Sequence, residues 1–286
     1  MSDGFVLGTL AAVSWGLADV FVTYVSRRGG FFKTLLLSQI FGLALLVVVA
    51  LALDDLPGPS TAQLLALVAL GPVAVAAYAG FYRALELGPI AIVSPIASAN
   101  GAVVVLLAVL VLDESLTAIQ AVGCVLVLGF IVLAAREPSS EPGEGNGNGN
   151  GIRLALIASI AFGGYLFVLA TMSDELGWLV PILIARSVTV AIVCAVAVAR
   201  PPPSPGALGR LGVLGCVGAG LLDACGYLVY NRGAEIGEVA ITSAAASAYP
   251  VIPILVGLFA LRERIAWHQL VGVGGVLCGM VVLSLG

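Results

Sequence analysis

Three ionisable residues stand inside long apolar runs of the sequence: Asp19, Arg186 and Asp223. A charge at mid-membrane depth costs about 2.5–3.5 kcal/mol on insertion scales, so each needs a partner or a task. Arg186 and Asp223 fall at similar depth in consecutive runs, and their expected arrangement is a buried charge pair. Asp19 lies about 10 Å away in depth from Arg186, at roughly 1.5 Å of helix rise per residue, and no second basic residue occupies any run. A carboxyl taken out of water without a cation favours its neutral form, which is what a proton carrier needs. Asp19 is therefore the candidate proton-coupling residue. The competing reading is a structural aspartate hydrogen-bonded to a small residue of the fourth run.

Aromatic and small polar residues supply the candidate substrate contacts. Trp15 and Asp19 are spaced i, i+4, so they share a helix face. Asp223, Tyr227 and Tyr230 follow i, i+4, i+7, and Tyr78 and Tyr82 follow i, i+4. Ser94, Ser98 and Gly101 form a stripe that recurs as Ser243, Ser247 and Pro250, with Asn100, Tyr249 and Pro253 beside it. Proline frees a carbonyl one turn earlier, and freed backbone groups at membrane depth are tolerated where they line a cavity. The substrate-binding set is thus Trp15, Tyr78, Ser94, Ser98, Asn100, Tyr227, Ser243, Ser247 and Tyr249. Two structural alternatives stand beside it: Tyr82 and Tyr230 as interfacial belt residues, and the small-residue stripes as close helix contacts.

The elements that carry these residues follow from composition. The chain has 286 residues, 60% hydrophobic and 10% charged, with a mean hydropathy of +1.14. Soluble domains carry about 25% charged residues, so this chain belongs in a lipid bilayer and not in water or on nucleic acid. Spans of roughly 20 apolar residues are expected near 5–26, 34–53, 63–82, 90–112, 118–135, 154–172, 179–199, 211–231, 239–261 and 266–285. The five cysteines all fall in apolar runs and the sole histidine is His268; neither a disulfide framework nor a metal site is expected, and no cofactor. Residues 137–151, EPSSEPGEGNGNGNG, lack apolar side chains and are expected to be a flexible linker between repeats 1–136 and 152–286.

Those repeats are copies. Phe81–Ala135 aligns without a gap to Tyr230–Ser284 at an offset of 149, with about 18 of 55 positions identical. Tyr78 matches Tyr227 at the same offset; the first spans match at 147, pairing Gly16 with Gly163 and Trp15 with Phe162. Five spans per copy forces the second copy to enter the membrane from the other side, which makes a 5+5 inverted repeat, the architecture of many secondary transporters. The fold class is therefore an all-α integral membrane protein of ten transmembrane helices. Glu114 and Glu263 occupy matching positions after a span and are expected to sit by the positive N-terminus of the following helix. Thr117 to Gln120 has the spacing of a capping box.

The segments ALELGPIAIVSPIASAN and LDESLTAIQAVGCVLVLG, with their copies GAEIGEVAITSAAASAYPVIP and LRERIAWHQLVGVGGVLCG, resemble the EamA domains of the drug/metabolite transporter superfamily. Trp15-Gly16 and Arg186 fit that resemblance, whereas the first-repeat position matching Arg186 is Gln39. The resemblance implies an exporter of amino acids, related metabolites or drugs, driven by proton exchange, and not an enzyme. Related small multidrug resistance proteins imply the alternative of cationic drug efflux, with Asp19 as the first-helix acid. An integral-membrane lipid-modifying enzyme is a weaker alternative.

Ten loop Lys and Arg residues, from Arg27 to Arg264, fall on one side of the expected spans and only Arg232 on the other. The positive-inside rule then puts the linker in the cytoplasm and both termini outside a multi-pass cell membrane. The expected partners are a small-molecule substrate, protons and the lipid bilayer, with the chain acting as a monomer or homodimer.

Overall fold

The computed structural model describes residues 3–53, 56–112, 117–136, 147–200, 208–236, 242, 245–246 and 248–284. Among them every regular element is helical. The first repeat holds α1 (Asp3–Gly29), α2 (Phe31–Leu51), α3 (Thr61–Leu87), α4 (Ile90–Ser98), α5 (Asn100–Leu112) and α6 (Ala118–Ala135). The second holds α7 (Gly147–Leu176), α8 (Val180–Ala199), α9 (Arg210–Ile236), α10 (Val251–Leu255) and α11 (Trp267–Ser284). α10 runs on as a π-helical turn, Val256–Ala260.

Eight segments are long and apolar enough to cross a bilayer, one of them the combined α4–α5, and Val251–Ala260 and Trp267–Val282 are shorter apolar helices. Together they fill the ten expected places. Their outward faces carry Val48, Leu65, Leu110, Val198 and Phe259, all exposed. In water such a surface would drive association; in a bilayer the lipid covers it. The chain is an all-α integral membrane protein.

Local chemistry fixes several ends. Ser60 and Gln63 form a full capping box on α3, with Gln63 N donating to Ser60 Oγ at 3.3 Å and Ser60 N to Gln63 Oε1 at 2.8 Å. Thr117 and Gln120 do the same for α6, at 3.1 and 3.0 Å. Ala266 replaces the threonine in the copy, yet its N–H still donates to Gln269 Oε1 at 3.2 Å, so half of the box persists.

Three boundaries differ from the sequence expectation. The fourth span is not one helix: it breaks at Ala99, after Pro95 has removed a backbone donor. The ninth, expected over 239–261, has turns at 248–250 before α10. Pro253 leaves the Tyr249 carbonyl without its helical donor, and that oxygen lies against α1, where a Cβ on Gly16 would come within 2.7 Å of it. Glycine at position 16 is what allows this approach. Finally, 147–151 of the expected linker is helical and belongs to α7. A Cβ on Gly151 would lie 2.7 Å from Gly88 N, so the glycines there serve a close helix crossing as well as a connection; 137–146 lie outside the described residues.

Matching residues of the two repeats meet each other. Tyr78 Oη donates to Tyr227 Oη at 3.3 Å, and Arg186 Nη1 to Gln39 Oε1 at 2.8 Å. Where α6 packs on α11, Gly275 lies against Phe130 and Gly279 against Leu126. Since 275 − 126 and 279 − 130 both equal 149, these are reciprocal contacts of the kind a two-fold axis creates. The inverted repeat is thus closed around an internal two-fold.

Candidate functional site

A cavity of about 120 Å³ lies on that axis. α1 brings Trp15 and Asp19, α3 brings Tyr78 and Tyr82, α7 brings Phe162 and Leu166, and α9 brings Asp223 and Tyr227. Asn100, at the start of α5, and Tyr249, just before α10, complete the wall. Four matching pairs therefore face one another: Trp15 with Phe162, Asp19 with Leu166, Tyr78 with Tyr227, and Asn100 with Tyr249. The scaffold is symmetric and its chemistry is not.

The asymmetry lies in the charges. Arg186 on α8 is 1% exposed and lies behind the wall. Its Nη2 donates to Asp223 Oδ2 at 2.6 Å and to Tyr78 Oη at 3.0 Å, while Nη1 reaches Gln39. The guanidinium carbon also lies 5.0 Å from the Tyr78 ring centroid and 5.7 Å from that of Tyr227, within cation–π range. This cation is neutralised by Asp223, whose side chain is 15% exposed and faces the cavity. Arg186 and its glutamine counterpart in the first repeat are thus bonded to each other across the axis.

Asp19, 6% exposed, accepts a hydrogen bond from Ser94 Oγ of α4. No cation pairs with it among the described residues. One carboxylate of the cavity is therefore balanced by Arg186 and the other has a hydroxyl partner only. In a low-dielectric site such a group attracts a positively charged guest more strongly than it would in water.

Aromatic rings make up the rest. Trp15 contacts Tyr227, Tyr230 and Tyr249 at centroid distances of 5.4, 5.6 and 6.1 Å. Phe162 stands edge-on to Tyr78 at 4.9 Å. Tyr82 is not an interfacial belt residue: it is 2% exposed and bonded to Ser38 Oγ at 3.0 Å.

Of the sequence candidates, Trp15, Asp19, Tyr78, Asn100, Asp223, Tyr227 and Tyr249 line the cavity. Ser94 and Ser98 do not. Ser94 is committed to Asp19, and Ser98 Oγ is shared between the Pro95 carbonyl at 2.8 Å, which Ala99 N leaves for Ile96 at the helix break, and Met280 Sδ at 3.1 Å, with the Tyr249 side chain also bonded to it. Ser243 and Ser247 lie outside the described residues, as does Glu114. Sequence reasoning passed over Phe162 and Leu166 as wall residues, although the 147 offset to Trp15 and Asp19 pointed at both. Gln39 was visible only as a departure from the arginine pattern, and its position makes it the partner of Arg186.

Glu263 also differs from expectation. Its carboxylate does not serve α11, the helix that follows it, but α4 of the other repeat, accepting from Ile90 N at 3.0 Å and Ala91 N at 3.2 Å. The reversed turn at Arg262, with φ 51°, points it there.

Comparison with known proteins agrees with this architecture. A curated relative, an uncharacterised protein of Methanocaldococcus jannaschii, is 29% identical over 133 residues, covering 46% of this chain and 96% of its own. Its length is therefore about that of one repeat. A solved crystal structure superposes with a TM-score of 0.66 at 17% identity, covering 99% of this chain and 96% of the other; it shares the fold. The model of the EamA-like transporter family matches twice, over residues 3–136 and 149–285. With two matches spanning nearly all of its length, one to each half of the inverted repeat, the chain belongs to the EamA-like transporter family.

Proposed function

We propose that this chain is a secondary active transporter that exports small organic metabolites bearing an amine, such as amino acids, in exchange for protons. The observation that carries the reading is the axial cavity, where Asp19 stands without a cation among aromatic walls supplied by both repeats. An inverted repeat places such a site at the point about which the halves rock. The two repeats, the second beginning with α7 at Gly147, are the two rocking units.

Asp19 couples the two fluxes by competition. A proton and an ammonium group are alternative partners for one carboxylate, so each leaves as the other binds. Trp15, Tyr227 and Tyr249 present ring faces and edges to the solute, and Asn100 supplies a neutral donor and acceptor. Asp223 is held by Arg186 and shapes the wall. The arginine-rich loops lie in the cytoplasm, both termini lie outside, and one chain holds the whole path in the cell membrane.

Efflux of cationic drugs is the second reading, favoured by the aromatic lining. A cation over an aromatic face gains about 0.5–2 kcal/mol, and a quaternary ammonium needs no hydrogen-bond acceptor. Competition separates the two: quaternary ammonium compounds that block amino-acid flux without being carried favour the metabolite reading.

The test uses purified protein in proteoliposomes with radiolabelled amino acids and Asp19→Asn. Solute exchange continues in this variant, whereas accumulation driven by a pH gradient disappears. Undiminished gradient-driven transport by Asp19→Asn overturns the assignment.

A further inference from the structure

At the arginine-rich end of the bundle a second cluster joins the repeats. Arg27, in the last turn of α1, donates from Nε to the Leu85 carbonyl at 3.1 Å and from Nη2 to the Gly88 carbonyl at 2.6 Å. The same Nη2 donates to Glu263 Oε1 at 2.8 Å. Glu263 in turn holds the first two backbone N–H groups of α4, so one carboxylate binds a guanidinium and a helix N-terminus together. Its side chain is 9% exposed and that of Arg27 is 30% exposed. Charge-assisted bonds so shielded are about twice as strong as neutral ones.

The backbone that delivers Glu263 is irregular. The π-helical turn Val256–Ala260 precedes it, Arg262 adopts φ 51°, and Glu263 N donates to the Gly257 carbonyl at 2.9 Å. Both a π-turn and a left-handed arginine persist only where surrounding contacts hold them. They aim one side chain of the second repeat across to the first.

The cluster lies eight residues beyond Asp19 on α1, about 12 Å along the helix axis. It ties α1 and the α3–α4 corner to the segment between α10 and α11. The helices it joins are those that carry the cavity wall, so the cavity cannot open toward this end while they are held together. Inverted symmetry places a matching set at the opposite end, and there the sequence differs. The counterpart of Glu263 is Glu114, but that of Arg27 is Asp174 (27 + 147). By sequence, an aspartate stands at the position that matches the latch arginine.

We propose that Arg27 and Glu263 form a latch that closes the arginine-rich end of the transport path, and that the resting protein is open toward the opposite end, where the sequence places Asp174 at the position matching Arg27. This rests on the transporter reading and adds to it a gate and a direction of rest. A transport cycle must break the Arg27–Glu263 bond and release the N-terminus of α4.

The test is side-selective labelling of full-length protein in vesicles of known orientation. Ala97, which lines the cavity, becomes the reporter as Ala97→Cys, with the five native cysteines replaced by alanine. A membrane-impermeant methanethiosulfonate reagent is applied from either side. The latched protein labels faster from the arginine-poor side. Glu263→Gln and Arg27→Gln raise the rate from the arginine-rich side on the order of tenfold, the effect of losing one charge-assisted contact, and Arg27→Lys gives an intermediate rate. Unchanged rates in both glutamine variants overturn the latch. A second variant, Arg27→Cys with Glu263→Cys joined by a bifunctional thiol reagent, does not depend on the glutamine variants folding. Cross-linking abolishes counterflow of a radiolabelled amino acid, and undiminished counterflow in the cross-linked protein overturns the latch. Absence of counterflow before cross-linking tells against the transporter reading instead, while the labelling rates still judge the latch.

Discussion

Replacing Arg186 and Asp223 one at a time and then together gives a quantitative test of the axial site. At a charge separation of roughly 4 Å and an effective dielectric of 20, their attraction is about 4 kcal/mol. Removing either partner alone also leaves the other charge in a dry environment, and for buried pairs the observed loss is about 3–5 kcal/mol. Arg186→Met has a further cost, because the Gln39 carbonyl oxygen and the Tyr78 hydroxyl lose the donor that reaches them at 2.8 and 3.0 Å. Asp223→Leu leaves a guanidinium 1% exposed with only neutral acceptors. Asp223 faces the cavity and keeps some access to water, so Arg186→Met falls at the lower end of that range and Asp223→Leu at the upper end.

The double variant replaces both charges by apolar side chains of similar volume, a change that is often neutral or stabilising for buried pairs. Its loss is expected to be smaller than the sum of the singles by about 2–3 kcal/mol. The remaining deficit reflects the stranded Gln39 amide and Tyr78 hydroxyl, at about 1 kcal/mol each. Reversible unfolding of the purified protein in mixed micelles, followed by tryptophan fluorescence, measures all four corners of the cycle. Additive losses, with a coupling below about 0.5 kcal/mol, refute the pairing as the support of the site.

Other perturbations are aimed at single contacts. Ser94→Ala removes the hydroxyl on Asp19 and lowers the proton-to-solute coupling ratio in proteoliposomes, whereas Ser98→Ala, whose hydroxyl serves its own helix, Met280 and the Tyr249 side chain, leaves that ratio unchanged. Equal effects from both serines would place the stripe, and not Asp19, at the centre of binding. Thr117→Ala removes the cap of α6 and costs about 1 kcal/mol of unfolding free energy, while Ala266→Thr, which completes the copy's half box, stabilises by a similar amount. The difference between these two variants in one unfolding assay checks both.

What the sequence discloses follows from which physical signals are one-dimensional. Apolar length sets the spans, and a constant offset of 149 or 147 reveals the repeat; from those two facts an axial cavity follows. Trp15, Tyr78, Tyr227 and Tyr249 could be placed near it because polar and aromatic residues are rare within apolar runs. Helix rotation is harder to read. In a bilayer a helix is apolar all round, so periodicity does not separate the face toward lipid from the face toward the cavity. That is why spacing does not separate Ser94 from Ser98, four residues apart on one helix, although one bonds Asp19 and the other its own backbone and Tyr249. Glu263 was misplaced for a different reason. The reach of its carboxylate depends on a π-turn and a left-handed Arg262, and neither leaves a mark in residue type.

A symmetric duplication alone would give two equivalent half-paths and no preferred direction. Four matched pairs keep the cavity two-sided in shape, so either repeat can form its wall. Three substitutions between the copies break the equivalence: Asp19 against Leu166, Arg186 against Gln39, and Arg27 against Asp174. The second is internal and holds the repeats together across the axis. The first puts the unbalanced charge on one repeat, where solute and proton compete in the proposed cycle. The third, under the proposed latch, makes one end of the path harder to open than the other. Restoring symmetry with Leu166→Asp should therefore change stoichiometry without changing fold, since the new carboxylate faces the same cavity. A second proton or a dicationic solute would then be needed to balance it. Measuring the proton-to-solute ratio from the reversal potential of proteoliposome flux decides the matter, and an unchanged ratio in a folded, active Leu166→Asp protein would mean that charge in the cavity does not set the coupling.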